Sequence, residues 1–577
     1  MKTFHFLIAS LLAFSAYAQQ AEQPSANASF SALKEFMPES TTAEILCARK
    51  SVYLHLDNTT YMMGDSIRYA AYLLQNDFSR SQQHPDTLFV QLISPKGNVA
   101  YNSKLLLTEN TSISGHIPTT ALDGGGMYEV RAFTSEMHQV DPTDYYSNFI
   151  PVFEKRKTSS SQEGKQAIDC SIALRIFPEG GRMVHGIQQR IAFALETKDN
   201  TGLMNEFSGW VIDETGNVLA DIRSIKDGMG LFTYTPAKGR KAFLRLSMPV
   251  DMKLLDFALP ECEESGIVPS VRMKLDSIQI GLEHIGLSGK VMIALMKDGT
   301  LIWNKEADLS SANAIKYSLP AAILPAGVSN LYVLSPSGSI LTYRSVFKHP
   351  DGEASPDYSD DYSSSYRLET DTLTGEILVN SVNTNTLSHS IAIRQQSTAN
   401  CWNSLSINTW YYLMRELRGW VKNANDYFSL PAQNILDNCD LLMLTHGWRQ
   451  YETTIIGGQT VNRAKTYRPI FKPTMPCTEE YTPVVYWNPD VRIKASQGNI
   501  PMETVPKDAK MFRFSFPTTD PSLLHVNAEG LSLIEGKVQI VGKHFANRVN
   551  YFMKVVPSEN PLERTFQWKD GQYVIQE

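Results

Sequence analysis

Over most of the chain apolar and polar positions alternate with a period of two, the pattern of half-buried strands. Val52, Leu54 and Leu56 alternate with polar neighbours, and after the Met63-Gly64-Asp65 turn Ile67, Tyr69, Ala71 and Leu73 alternate again. Leu88–Ile93 continues the pattern, Pro95-Lys96-Gly97-Asn98 is a tight turn, and Ala121–Arg131 is a glycine turn feeding another strand. These predict a β-sandwich over residues 45–155. A second, over 170–260, opens at Ile172, turns at Phe177–Gly181, alternates through Ile191, Phe193 and Leu195, and forms a hairpin around Asp213–Asn217. Val291–Leu295 and Leu331–Leu334 mark a third over 270–350, with Ser335–Gly338 closing a hairpin. Three short strands are expected within Arg367–Gln396. The predicted fold class is mainly β: tandem immunoglobulin-like β-sandwiches with one small helical hairpin.

That hairpin is the exception to the two-residue period. Ile407, Trp410, Tyr411, Met414 and Leu417 recur at helical spacing, and Gly419 follows as a left-handed stop. A second helix is expected from Pro431, with Ser429 upstream as its cap. Its buried face would be Ala432, Ile435, Leu436, Cys439, Leu442 and Met443, and Gly447 would end it. The two apolar faces are expected to pack on the strands of Arg367–Gln396.

With 577 residues, the chain exceeds one core and suggests about four domains. A net charge of −7 gives no electrostatic case for nucleic acid or an anionic membrane. Residues 1–18 read as a signal peptide: Lys2, the apolar run Phe6–Phe14, and Ala16-Tyr17-Ala18 before Gln19. No later apolar run reaches the roughly 20 residues that span a bilayer, so no transmembrane segment is expected after signal removal. Residues 19–44 read as a flexible leader, Lys155–Lys165 as a polar linker, and 351–365 as an acidic linker. The spacing of the aspartates in 351–365 is not that of a calcium loop. Six scattered cysteines form no CxxC pair and read mostly as small core residues, with any disulfide pairing left open.

Several stretches carry a family resemblance. SVYLHLDNTTYMMGDSIRYAAYLL (Ser51–Leu74) and GGGMYEVRAFTSEM (Gly124–Met137) resemble strands of the macroglobulin MG2 domain. FPEGGRMVHGIQQRIAF (Phe177–Phe193), GWVIDETGNVLADI (Gly209–Ile222) and KDGMGLFTYTP (Lys226–Pro236) resemble the sandwich that follows it in envelope proteins of Bacteroidetes type. RGWVKNANDYF (Arg418–Phe428) and LDNCDLLMLTHGWRQY (Leu436–Tyr451) are similar to the helical element of those proteins. VVYWNPDV (Val484–Val491) and Phe512–Ser532 resemble their closing sandwich, which places a C-terminal sandwich over 480–577 beside a β segment with the helical hairpin over 366–452. Longer relatives carry a carboxypeptidase-regulatory-like domain and a TonB-receptor plug-like domain between these landmarks. Here only Glu452–Thr482 lies between them, too short for either.

Catalytic signals are sparse. Twelve histidines are dispersed without HExxH, and there is no GxSxG elbow, P-loop or GxGxxG after a strand. His55 and Asp57 form HxD on one strand, read as a partly exposed strand face rather than half of a site. Cys439 and His446 are poorly spaced for a shared zinc ion, and His446 is expected to complement the helix C-terminus. Gly124-Gly125-Gly126 precedes a strand and reads as a turn, not a phosphate cradle. Thioester macroglobulins need a cysteine followed closely by glutamine; Cys477-Thr478-Glu479-Glu480 comes nearest and lacks it. Tryptophans 402, 410, 420, 448 and 487 read as packing rather than a carbohydrate platform, with Arg415, Arg418 and Arg449 beside them for cation–π contacts or ion pairs.

No catalytic, cofactor-binding or metal residue and no cofactor is therefore assigned. The expected function is a non-enzymatic exported protein of the cell envelope, in the periplasm or at the outer membrane. It would act on protein partners as a binding module or scaffold, accessory to outer-membrane transport. The alternatives are a non-thioester, macroglobulin-like endopeptidase inhibitor and a glycan-active enzyme.

Overall fold

The computed structural model of the chain describes residues 26–46, 50–74, 86–107, 112–140, 144–154, 172–197, 208–247, 254–350, 362–369, 372–379, 384–395, 405–429, 432–476, 484–494, 511–517, 524–534, 537–544, 563–569 and 572–576. The expected signal peptide, the Lys155–Lys165 linker and most of the acidic linker lie outside these residues, but the strand Tyr362–Glu369 begins within the latter.

The first sandwich pairs a three-stranded sheet (Ser51–Leu56, Ser66–Leu74, Ser112–Pro118) with a five-stranded one built around Gly126–Thr134 and Tyr146–Phe153. Their inner faces share one core that includes Val52, Leu54, Ile67, Tyr69, Val90, Val130 and Ile150. Ser51–Leu56 is buried along its whole length, not on alternate residues. Tyr53, also part of that core cluster, and His55 are covered by other parts of the chain: Tyr53 donates to Leu405 O at 2.7 Å and His55 bonds Ser390.

The second sandwich joins the sheet containing Ile172–Pro178 and Gln189–Thr197 to that containing Ser208–Asp213 and Ala242–Ser247. The third joins Gly266–Met273, Ser277–Ile285 and Ala314–Pro320 to a sheet ordered Thr300–Asp308, Lys290–Lys297, Gly327–Leu334, Ile340–Lys348. Gly266–Met273 is an edge strand, and Pro269 sits in it without breaking a central ladder.

The fourth sandwich corrects the expected boundaries. Tyr362–Glu369 pairs with Glu563–Lys569, Thr372–Val379 with Met511–Pro517, and Thr384–Gln395 with both Val484–Lys494 and Leu524–Ile534. The β segment of 366–452 and the sandwich of 480–577 are thus one discontinuous unit. The helical region, with a hairpin of Arg449–Ile456 and Gln459–Thr466, is inserted between its halves.

Residues 26–46 correct the flexible leader. Helices α1 (Ala26–Phe36) and α2 (Glu39–Ile45) bury Leu33, Met37 and Ile45 against Met292, Met296, Tyr332 and Leu334 on the outer face of the third sandwich. That face is apolar because Lys290–Lys297 is not alternating: Val291, Ile293 and Leu295 face the inner core, while Met292, Ala294 and Met296 face the helices. A further short helix, α3 (Ser135–Val140), follows Gly126–Thr134. No described helix is long and apolar enough to cross a membrane, which says nothing of a β-barrel.

Candidate functional site

The insert begins with α4 (Ile407–Tyr412), capped by Ser406, whose hydroxyl accepts from Thr409 N at 3.1 Å. The helix is shorter than its apolar spacing predicts. Leu413 leaves helical geometry at φ −126°, and a 3-10 turn, Met414–Glu416, completes the arc. Three consecutive aromatic residues, Trp410 to Tyr412, give weak intrinsic support to a longer helix. Gly419 does adopt the left-handed conformation (φ +83°), and a Cβ there would strike the Tyr467 ring at 2.9 Å. Ser429 closes a separate four-residue helix, α5 (Asp426–Ser429), ahead of α6 (Ala432–Thr445); its side chain, the expected cap, lies outside the described residues. Cys439, Leu442 and Met443 are buried as expected, together with Leu441 and Leu444. The side chains of Ala432 and Ile435 lie outside the described residues.

The apolar faces do not lie mainly on the strands of Arg367–Gln396. Ile407 and Trp410 join the first sandwich core, where the Trp410 ring meets Tyr146 edge-on at 5.0 Å. The buried residues of α6, with Leu413, Leu417 and Tyr427, join a cluster containing Phe177, Ala192 and Met229 of the second sandwich and Val328 and Phe347 of the third. The reason is connectivity. The two halves of the fourth sandwich pair with each other, and the insert fills the space where the other three meet while α4 also touches the fourth-sandwich strand Lys537–His544.

Buried ion pairs follow the same routes. Asp440 of α6 accepts from Arg190 of the second sandwich and Arg344 of the third. Glu179, only 2% exposed, accepts from Arg190 Nη2 at 2.7 Å and Arg344 Nε at 2.9 Å. Arg415 pairs with Asp298 of the third sandwich and lies over the Tyr411 ring at 4.2 Å. Burial works against the Arg415 charge, but Asp298 and its neighbours hold the guanidinium above its ordinary value. Arg418 pairs with Asp144 of the first sandwich. Arg449 donates to Tyr343 Oη at 2.8 Å and to Glu416 O at 3.3 Å. Each of the three arginines makes an ion pair with another part of the chain, and Arg415 and Arg449 also lie over tyrosine rings rather than tryptophans.

The other sequence candidates resolve as structure. His55 and Asp57 are each 1% exposed, not on a partly exposed face. His55 Nδ1 and Tyr72 Oη both bond Ser390 Oγ, while Asp57 turns to Tyr61 and Arg68, so HxD is not one site. His446 does not act as a charged complement to a helix end: burial pushes its pKa down to about 4, and its Nε2 meets Trp420 O at 3.3 Å. Burial pushes the Cys439 thiol up to about 12. Cys439 and Cys262 are free thiols; Cys47, Cys170, Cys401 and Cys477 lie outside the described residues, as does Trp402, and the Trp487 side chain is not described. Gly126 opens its strand at φ +152°, consistent with a turn. Among the described residues no cluster of three His, Cys, Asp or Glu could hold a metal ion.

What the insert does leave open is a cleft of about 280 Å³ against the first sandwich. It is lined by Trp410, Met414 and Trp420 of the insert, Ser147 and Asn148 of the first sandwich, and Phe471. Arg415, Arg418, Glu129 and Lys472 also border it. Glu129 is held by Arg131 through two hydrogen bonds of 2.7 and 2.8 Å and receives Ser147 Oγ at 2.7 Å. Sequence reasoning missed this cleft because its lining comes from four separate segments with no shared motif. The run of Trp and Arg near 410–420 was the one local signal.

Comparison with known proteins assigns no family. No family model matches the chain, and no curated protein matches it. Among solved structures, Escherichia coli alpha-2-macroglobulin activated by porcine elastase aligns at 10% identity and a TM-score of 0.27, covering 86% of this chain and 43% of that one. Salmonella alpha-2-macroglobulin reacted with methylamine gives 8%, 0.27, 87% and 40%. Dimeric latent PorU from Porphyromonas gingivalis gives 10%, 0.23, 52% and 34%. The chain thus spans less than half the length of these macroglobulins. At such TM-scores the likenesses assign neither a shared fold nor an activity. The tandem-sandwich architecture rests on the strand pairing itself.

Proposed function

We propose that this chain is a non-enzymatic, exported protein of the cell envelope that works as a scaffold and binding module for protein partners. Its finer role is accessory to outer-membrane transport. One observation carries the reading. A single insert sends Asp440, Arg415 and Arg418 into three sandwiches and seals the junction with apolar side chains, fixing their relative orientation. Titratable groups committed to one another in this way hold shape, and fixed shape is what a scaffold supplies.

Photo-crosslinking in the envelope of the native host tests this. A photoreactive residue replaces Ile455, 77% exposed at the hairpin tip, or Leu275, 88% exposed on the third sandwich. The scaffold reading expects a discrete protein adduct from at least one position. Crosslinking to none, together with a chemical turnover by the purified chain, would reject it. Retention of a protease after one internal cut would instead favour the inhibitor.

A further inference from the structure

We infer that the cleft between the insert and the first sandwich binds the C-terminal carboxylate of a peptide whose last side chain is apolar or aromatic. The inference rests on the binding-module reading and names the chemistry of its partner. Three features converge. The first is unspent donor capacity. Trp410 Nε1 and Arg415 Nε and Nη1 have no acceptor among the described residues, although both residues are at most 6% exposed and both border the cleft. A buried donor left unsatisfied is destabilising, and an entering oxygen acceptor would relieve that cost.

The second is charge. Arg415 and Arg418 already face Asp298 and Asp144, and Glu129 faces Arg131. Lys472, which lines the cleft and is exposed, has no ion pair among the described residues. Among the described residues the cleft is therefore balanced except for one cation, which a single carboxylate complements. The third is shape. Trp410, Met414, Trp420 and Phe471 supply apolar and aromatic surface beside these donors. Such a mixture suits one apolar side chain attached to one acid, and the site lies at a domain junction, where ligand clefts concentrate. Water could satisfy the donors but would use neither the aromatic walls nor Lys472.

The test uses the full chain and acetyl-Gly-Gly-Ala-Phe with a free carboxylate, titrated by calorimetry and by tryptophan fluorescence. The free acid is expected to bind and its C-terminal amide to bind about tenfold more weakly. Lys472→Glu, at an exposed position, should weaken the acid about tenfold while leaving the melting temperature unchanged. Trp410→Phe keeps a ring and removes the N–H, so it should weaken the acid more than the amide. Equal binding of acid and amide, or no saturation by either, overturns the inference. N-acetylphenylalanine binding as tightly as the peptide would show that a small acid, not a chain end, is the ligand. Failure of the peptide leaves the crosslinking result standing, so the two readings fail separately.

Discussion

Asp440 and Arg344 form an ion pair between residues 96 positions apart, tying α6 to the third sandwich at a point where Arg190 of the second also arrives. Arg344 is 3% exposed. Burial alone would lower its pKa, but Asp440 and Glu179 outweigh it and hold the group charged. Removing one partner of a buried pair leaves the other charge uncompensated, which is costlier than never having built the pair. Asp440→Asn should therefore cost about 3 kcal/mol, somewhat moderated by the partial exposure of the aspartate. Urea unfolding of the wild type and variant measures it. A change below the noise of extrapolation would mean that Glu179 alone suffices for both arginines.

Ser390 is the corresponding point between the first and fourth sandwiches. Its hydroxyl accepts from Tyr72 Oη at 2.7 Å and bonds His55 Nδ1, all three residues being buried. Ser390→Ala removes the atom they share, at an expected cost of about 1–3 kcal/mol. Tyr72→Phe with Ser390→Ala should cost less than the sum of the single changes, because the second deletion removes a group already left without its bond. Thermal unfolding of the cycle checks this; strict additivity would show that the contact is not formed in solution.

These two junctions mark the limit of what the chain's local pattern reveals. Alternation located the individual strands well, because burial of one face leaves a period of two in the residues themselves. Nothing at Thr384–Gln395 reveals that its partners lie in Val484–Lys494 and Leu524–Ile534, beyond an insert. Strand pairing uses backbone groups common to all residues, so long-range pairing leaves a weak local trace. The continuous apolar run Val291–Met296 did carry a trace, since only a strand covered on both faces tolerates it. The arginines near the insert were legible as ion-pair candidates, but their partners Asp144 and Asp298 were not.

His446 predicts a pH dependence of stability. Its pKa is about 4 in the folded chain, below the ordinary 6.5, because burial disfavours the imidazolium. Between these values the unfolded chain binds a proton that the folded chain refuses, so stability rises with pH there. The contribution is complete above about pH 6.5 and falls progressively as pH drops towards 4, by up to about 3 kcal/mol. Urea unfolding at pH 7.5 and 5.0 should show the wild type losing stability and His446→Gln losing less. Equal losses would assign the acid sensitivity to other groups.

The N-terminal helices make the last prediction. Leu33 is fully buried and Met37 is 5% exposed, against Met292, Met296 and Tyr332 on a sheet that would otherwise show an apolar face to water. Two short helices cannot be stable by propensity alone, so this packing is what orders them. Leu33→Asp should release the segment, because a buried carboxylate without a partner is disfavoured more strongly than detachment. The strands beneath keep their own inner core of Val291, Ile293, Leu295 and Leu331, so the third sandwich should survive. The expected outcome is rapid proteolysis confined to residues 26–46, with increased binding of an apolar dye and hydrogen-exchange protection retained in Lys290–Lys297. Loss of that protection would mean that the helices are part of the sandwich's folding unit and not a cover laid on it.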